Sequence, residues 1–409
     1  MKKTKILVLT VLVVAFFFGG KLLSGNAVKV TEGENPKVFT SADKEIESME
    51  QTGEDAGKED SYKEIFEKLA DCYAFNQLDE ARRHWYADIY TVLSGRLEEG
   101  DLLQSQIGTL NPEDIDAIFQ CVMNDHPELF YVEGYQQLQH TRNEETVRIV
   151  FRGMYSMDDQ EARIRAEQIE LYVDKCLQGI SSDASDYEKV KYVYDYIIEN
   201  TQYLLEAPQN QNICSVFIGQ KSVCQGYAKA MQFLLERLEV PCTVVLGTVE
   251  DGVGHAWNLV QVDGEYYYVD PTWGDASYRT GEGMEPADGP SVNYDYLCVT
   301  TEQICRTHVI DNVVPMPLCT ATAANYYVVE GGYFPAYDEE QVAAYLEKIQ
   351  SRGQDTVTVK CADKATYDEF YKELITNQSI FRFWDVEDGI LAYTDNKEQL
   401  SITFWLLEE

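Results

Sequence analysis

Positive charge is scarce in this sequence: 33 lysines and arginines stand against 70 aspartates and glutamates, a formal net charge of -37. A chain of that sign repels a phosphate backbone instead of releasing its counterions, which excludes nucleic acid as a partner. Histidine is scarcer still, at five residues. None falls in an HExxH pair or a Cys/His cluster and no EF-hand spacing occurs, so no metal or other cofactor is expected. The ten cysteines contain no CxxC pair. Several sit in apolar surroundings, where a thiol packs as a small hydrophobe, and no disulfide is expected. Internal repeats are absent as well.

Hydrophobic residues make up 45% of the chain and there are 28 tyrosines, which argues for folded material over most of its length. At 409 residues the chain exceeds what one core usually serves, so two or three domains are expected. A long apolar run occurs at the start, from Ile6 to Gly20, behind the basic Met1-Lys2-Lys3-Thr4-Lys5. This is the layout of an export signal, and residues 1–27 read as a signal peptide or signal anchor. The body is then extracytoplasmic, secreted or held to the membrane only through an uncleaved amino-terminal segment. Residues 28–60 are acidic and lack apolar periodicity, as a flexible tether would.

Beyond the tether, Ser61-Tyr62-Lys63-Glu64 has the form of a capping box opening a helix. Residues 61–182 read as an amino-terminal α+β domain with a strand pair (Leu129 to Gln139 and Thr146 to Phe151) and a helix from about Asp158 to Leu177. A second capping box, Ser185-Asp186-Tyr187-Glu188, opens a central domain over 183–322, helices first and sheet second. Residues 323–409 then read as a small α/β domain: strand (Tyr326 to Val329), helix (Glu339 to Ser351), strand (Thr356 to Cys361), helix (Lys364 to Asn377) and further strands to Leu407.

Candidate chemistry lies in the central domain. Cys224 falls in the first turn of a helix whose Tyr227, Met231, Leu234, Leu235 and Leu238 share one face. Free N–H groups and the positive end of the helix dipole favour a thiolate there. Downstream, Asp263-Gly264 between apolar runs is a hairpin signal. A two-residue turn makes paired positions sum to 527, so Trp257 faces Asp270 and His255 faces Thr272. His255 and Asp270 become diagonal neighbours on one face, within side-chain reach. A slip of one residue would separate them. Nucleophile, base and orienter is the arrangement of a cysteine acyl-transfer site.

The three blocks Val-Cys-Gln-Gly-Tyr-Ala, Gly-His-Ala-Trp-Asn and Tyr-Val-Asp-Pro-Thr-Trp-Gly-Asp resemble, in order and spacing, the core of the transglutaminase-like superfamily over roughly Ser185 to Cys319. His126-Pro127-Glu128-Leu129-Phe130-Tyr131 is similar to a segment found upstream of that core in exported bacterial relatives. The resemblance implies an α+β, papain-like core in which a nucleophile helix packs on an antiparallel sheet. It also implies a thioester on Cys224, formed from a protein or peptide amide and resolved by water or an amine. Cell-wall peptide is one such substrate.

The Cys224 backbone N–H is one oxyanion donor, and Gln220 and Tyr203 are candidates for a second. Trp257 and Trp273 are candidate walls of the substrate cleft. Gly226 permits close approach of another chain segment, and Asp275 replaces Asp270 only under a different register. His84, His126, His140 and His308 stand without a spaced acid or thiol and read as structural or solvated. The alternative from another class is a noncatalytic surface binding module built on the same scaffold.

Overall fold

The computed structural model describes residues 6–9, 54–142, 145–249, 252–275, 290–384 and 390–407. Most of the expected signal segment and residues 28–53 of the expected tether lie outside them. Within the apolar amino-terminal run, Ile6–Leu9 forms a strand parallel to Ile390–Asn396. No helix among the described residues is long and apolar enough to cross a membrane. The chain divides into two compact units, one of residues 21–166 with 313–315 and one of 1–20, 167–312 and 316–409. The carboxy-terminal segment therefore shares a unit with the central one.

In the first unit the opening helix spans Glu54–Lys68. The Ser61 box thus lies inside a helix that has already begun within the expected tether, because no backbone break separates Asp60 from Ser61. Helix Glu80–Ser94 is capped by Asp79 and buries Trp85, Tyr86, Ile89 and Leu93. It packs with a three-stranded antiparallel sheet in which Glu145–Tyr155 lies between Glu99–Asp101 and Val132–Arg142. The buried Asp125 accepts the amides of Ala74 and Phe75, each at 2.9 Å, and the Tyr86 hydroxyl.

The second unit holds the candidate site. Ser185 and Glu188 form a reciprocal capping box at the head of helix Asp186–Asn200. Helix Cys224–Arg237 follows, with Tyr227, Met231, Leu234 and Leu235 fully buried. Burying each of Met231, Leu234 and Leu235 contributes about 1.5–3 kcal/mol. They pack toward a four-stranded antiparallel sheet ordered Val309–Ile310, Cys242–Thr248, Gly254–Val262, Glu265–Val269. Pairing in the last hairpin includes Asn258 with Val269 and Leu259 with Tyr268, the register that a turn at Asp263-Gly264 requires. The ladder ends at Val269, and Asp270 instead caps the short helix Pro271–Gly274. Trp257 and Thr272 are therefore not the cross-strand partners of Asp270 and His255.

The carboxy-terminal segment builds a five-stranded sheet ordered Ile6–Leu9, Ile390–Asn396, Ser401–Leu407, Thr356–Cys361, Tyr333–Phe334. Helix Glu339–Ser351 and strand Thr356–Cys361 have the expected bounds. Tyr326–Glu330 is a helix and not the expected strand. Asn325 accepts the Tyr327 amide at its start and Gly331 closes it with φ of 84°. These two caps outweigh the β preference of two tyrosines and two valines. Inside the unit, Lys360 Nζ donates to Asp295 Oδ1 at 3.1 Å, while Asn396 and Ser401 donate to Asp295 Oδ2.

Candidate active site

Cys224 opens its helix behind Val223, which gives no side-chain cap. The first-turn amides are left for another acceptor. A β-carbon on Gly226 would lie 1.9 Å from Ser222 Oγ and 2.9 Å from the Asn210 carbonyl, so glycine there admits the loop that locks the helix start. Tyr227, one residue on, donates from its hydroxyl to Thr201 O at 2.9 Å and Asp275 Oδ2 at 2.8 Å. Asp275 is thereby tied to helix Cys224–Arg237 and does not stand in for Asp270.

The strand of His255 is tied to that helix directly. Asn258 Nδ2 donates to the Ala228 carbonyl at 2.9 Å, both groups being buried. Three residues before Asn258, His255 Nε2 meets Asp270 Oδ2 at 2.7 Å, with both side chains wholly buried. The other carboxylate oxygen accepts the amides of Thr272 at 2.9 Å and Trp273 at 3.1 Å. His255 Nδ1 is buried with no partner at full hydrogen-bond geometry. The Cys224 thiol lies near enough to act on this imidazole through hydrogen bonding and charge.

Burial opposes protonation of His255, but the Asp270 charge and hydrogen bond, with a smaller contribution from Cys224, raise its pKa to about 10. Burial likewise pushes the Asp270 carboxyl up, yet His255 and His308 together hold it well below the ordinary range. An imidazolium beside a carboxylate, with the free ring nitrogen toward a thiol, stabilises a thiolate.

His308 corrects the sequence reading. It is wholly buried, and its Nε2 reaches the same Asp270 oxygen at 2.9 Å. No local spacing signals this, since 38 residues separate the two. The three groups offer ligand atoms within 4.8 Å of one another. The contacts of 2.7 and 2.9 Å are hydrogen-bond lengths, whereas tetrahedral zinc ligands sit about 3.3 Å apart when each bond is about 2.0–2.1 Å. The shared oxygen is therefore assigned to two N–H donors. His126 is not isolated either, because its Nδ1 meets Glu128 Oε1 at 2.9 Å.

Trp257 and Trp273 are buried around the imidazoles, with ring centroids 5.9 and 6.3 Å from His255. A cleft of about 1140 Å³ opens elsewhere in the unit, beside Gln220, Asp275, Tyr294 and Trp405, and neither tryptophan lines it. Gln220 holds a positive φ of 50° just before strand Lys221–Ser222. Tyr203 pairs with Ser222 across that strand, two residues before Cys224.

Residues 174–271 match the family model of the transglutaminase-like superfamily. This segment is transglutaminase-like. The curated relatives include kyphoscoliosis peptidase of Mus musculus, 30% identical over 107 residues that cover 22% of this chain and 16% of the relative. The same protein of Homo sapiens is 27% identical over 120 residues, 25% of this chain and 18% of the relative. The chain thus spans less than a fifth of the length of the curated relatives it matches. Among solved structures, "a TGase" aligns at TM-score 0.26 and 17% identity, covering 37% of this chain and 46% of that one. The periplasmic domain of TgpA from Pseudomonas aeruginosa aligns at TM-scores of 0.21–0.22 and 19–21% identity, covering 34% of this chain and 62–65% of that domain. The mixed helix and sheet around the transglutaminase-like segment form an α+β fold of the papain-like kind.

Proposed function

We propose that the chain is a cysteine-dependent enzyme that attacks protein or peptide amide bonds through a thioester on Cys224. The observation that carries this reading is the buried His255–Asp270 pair, 2.7 Å apart, with Nδ1 left over on the thiol side. His255 holds the thiol proton as an imidazolium, and the Cys224 thiolate adds to the amide carbonyl. The oxyanion forms at the first turn of helix Cys224–Arg237, where the Cys224 amide N–H donates. The proton passes from His255 to the leaving amine as the C–N bond breaks. Water or a second amine then resolves the thioester with His255 as base. Gln220 or Tyr203 serves as the second oxyanion donor. Hydrolysis is favoured over amine transfer, because a cross-linker must shield its thioester from water.

The basic and apolar amino-terminal run supports an extracytoplasmic site of action, with surface proteins or cell-wall peptides as substrates. Domain limits at about 61–182, 183–322 and 323–409 accompany this reading. Labelling with iodoacetamide at mildly acidic pH and mapping the product tests the chemistry. Cys224 should react first, and His255→Ala should abolish that preference. Reactivity no greater than that of the other nine thiols would favour a noncatalytic binding module. Ammonia-release and amine-incorporation assays on peptides then separate hydrolysis from transfer.

A further inference from the structure

We propose that His308 is a positioning residue for this site, holding Asp270 Oδ2 so that it orients His255 with Nδ1 toward Cys224. The inference rests on the acyl-transfer reading above. Its ground is that one buried oxygen serves two buried imidazoles, at 2.7 Å to His255 and 2.9 Å to His308. His308 is anchored on its other side too, Nδ1 lying 2.8 Å from Thr307 Oγ1.

The fold carries His308 there by a specific route. Strand Val309–Ile310 pairs with Thr248 and Gly247, and Gly247 pairs in turn with His255. A β-carbon on Gly247 would lie 2.0 Å from the Val309 carbonyl, so this approach depends on glycine.

Proton inventory explains why a second imidazole can share the oxygen. Burial holds the His308 pKa below its ordinary value, and the charge of His255 pushes the same way, against Asp270. A neutral His308 donates Nε2–H to Asp270 and keeps Nδ1 against Thr307 Oγ1. It fixes Asp270 without competing for its charge. The titratable groups facing the cluster are Cys224, Tyr194 and Tyr296. The Tyr194 phenol is raised by burial and then by Asp270, and Tyr296 lies 5.7 Å from His308 between ring centroids. The Tyr194 phenol stays neutral while the imidazoles titrate.

The test compares His308→Leu with His308→Gln in the full chain, Gln keeping a donor where Nε2 stood. The rate of iodoacetamide labelling at Cys224 is followed from pH 4 to 10, with circular dichroism confirming the fold. His308→Leu should slow labelling at pH 6 by about tenfold or more and move its profile, the loss of one charge-assisted hydrogen bond. His308→Gln should stay within about threefold of the parent, and Thr307→Val, which disturbs the core less, should move the profile in the same direction by less. An unchanged profile in folded His308→Leu, or equal damage in both His308 variants, would overturn the positioning role. A parent Cys224 no more reactive than the exposed Cys305 would instead overturn the acyl-transfer reading.

In the amino-terminal unit the geometry points to a second reactive thiol, Cys72, suited to exchange with low-molecular-weight disulfides. Cys72 Sγ lies 3.9 Å from His126 Nε2, and His126 Nδ1 is held by Glu128 at 2.9 Å. The imidazole is further fixed against the Tyr90 ring, 4.2 Å away. Nucleophile, base and orienter stand in order, and Cys72 is half-buried where Cys121 and Cys176 are fully buried. The Cys72 thiolate attacks one sulfur of the disulfide and the other half leaves as a thiolate. The thiol proton passes to His126. With oxidised glutathione as probe, the mixed disulfide at Cys72 should form at least about tenfold faster than at Cys305, whose thiol pKa burial raises. Glu128→Gln, at a half-exposed position, should slow it about threefold. A rate at Cys72 no greater than at Cys305 would overturn the assignment.

Discussion

Two buried carboxylates in the second unit make a natural pair for comparison. Asp270 receives two amides and two imidazoles. Asp295 receives an ammonium, an amide side chain and a hydroxyl. Both are satisfied, so neither is a stray charge. They differ in what remains unmet among their partners. Lys360, pushed below its ordinary pKa first by burial and pulled back by Asp295, has Asp295 and Gln399 as acceptors. His255 keeps one buried nitrogen open. A satisfied cluster joins strands, whereas a cluster with one open nitrogen beside a thiol can move a proton. Perturbed pKa values alone do not separate the two.

Exchanging the two aspartates should break the resemblance most sharply. Asp270→Asn keeps an acceptor for the Thr272 and Trp273 amides but cannot stabilise the imidazolium. It should lower kcat/KM by about 10⁴-fold and lower the melting temperature as well, because the His255 and His308 N–H groups lose their shared buried acceptor. The pH dependence of stability should divide the clusters in the same way. His255 is raised from 6.5 to about 10, so its stabilisation is complete below 6.5 and is lost as pH rises through about 10. Asp270, being depressed, contributes above its ordinary value of 3.8 and loses that contribution as pH falls through its folded value. Lys360, lowered from 10.5, acts with the opposite sign to His255, and stability gains as pH rises toward 10.5. Urea titrations of His255→Gln should therefore remove a falling alkaline slope, and those of Lys360→Met a rising one.

Asp295→Ala is the mirror experiment. It strands a buried ammonium, and the expected loss is about 3–5 kcal/mol in urea unfolding. Cys224 labelling in the folded fraction should stay near the parent rate. Loss of labelling without loss of stability would mean that the Lys360 cluster also serves the chemistry.

The hairpin register was legible in the sequence because a two-residue Asp-Gly turn leaves no freedom, and the Ser185 box was legible because both of its bonds are local. The helix at Tyr326–Glu330 was not, because two caps decided it over side-chain propensity. His308 was invisible for a different reason. Its partner lies 38 residues away, and the contact depends on an intervening strand pairing at Gly247. Sequence spacing reports pairs joined by one turn. It does not report pairs joined through a third strand.

Two smaller substitutions ask how rigidly the open cluster is held compared with the closed one. Gly226→Ala drives a methyl into Ser222 Oγ and the Asn210 carbonyl, and the expected cost is about 1–3 kcal/mol. Tyr227→Phe removes one hydroxyl that bonds both Thr201 and Asp275, a loss of about 0.5–1.5 kcal/mol. That hydroxyl sits on the turn that begins with Cys224. If the site depends on a fixed helix start, Tyr227→Phe should lower the Cys224 labelling rate by more than its small stability loss explains. Ser401→Ala removes a comparable hydroxyl from Asp295 and serves as the control. It should cost similar stability and leave labelling unchanged. Equal effects of the two on labelling would mean that the helix start is no more sensitive than the sheet it shares a unit with.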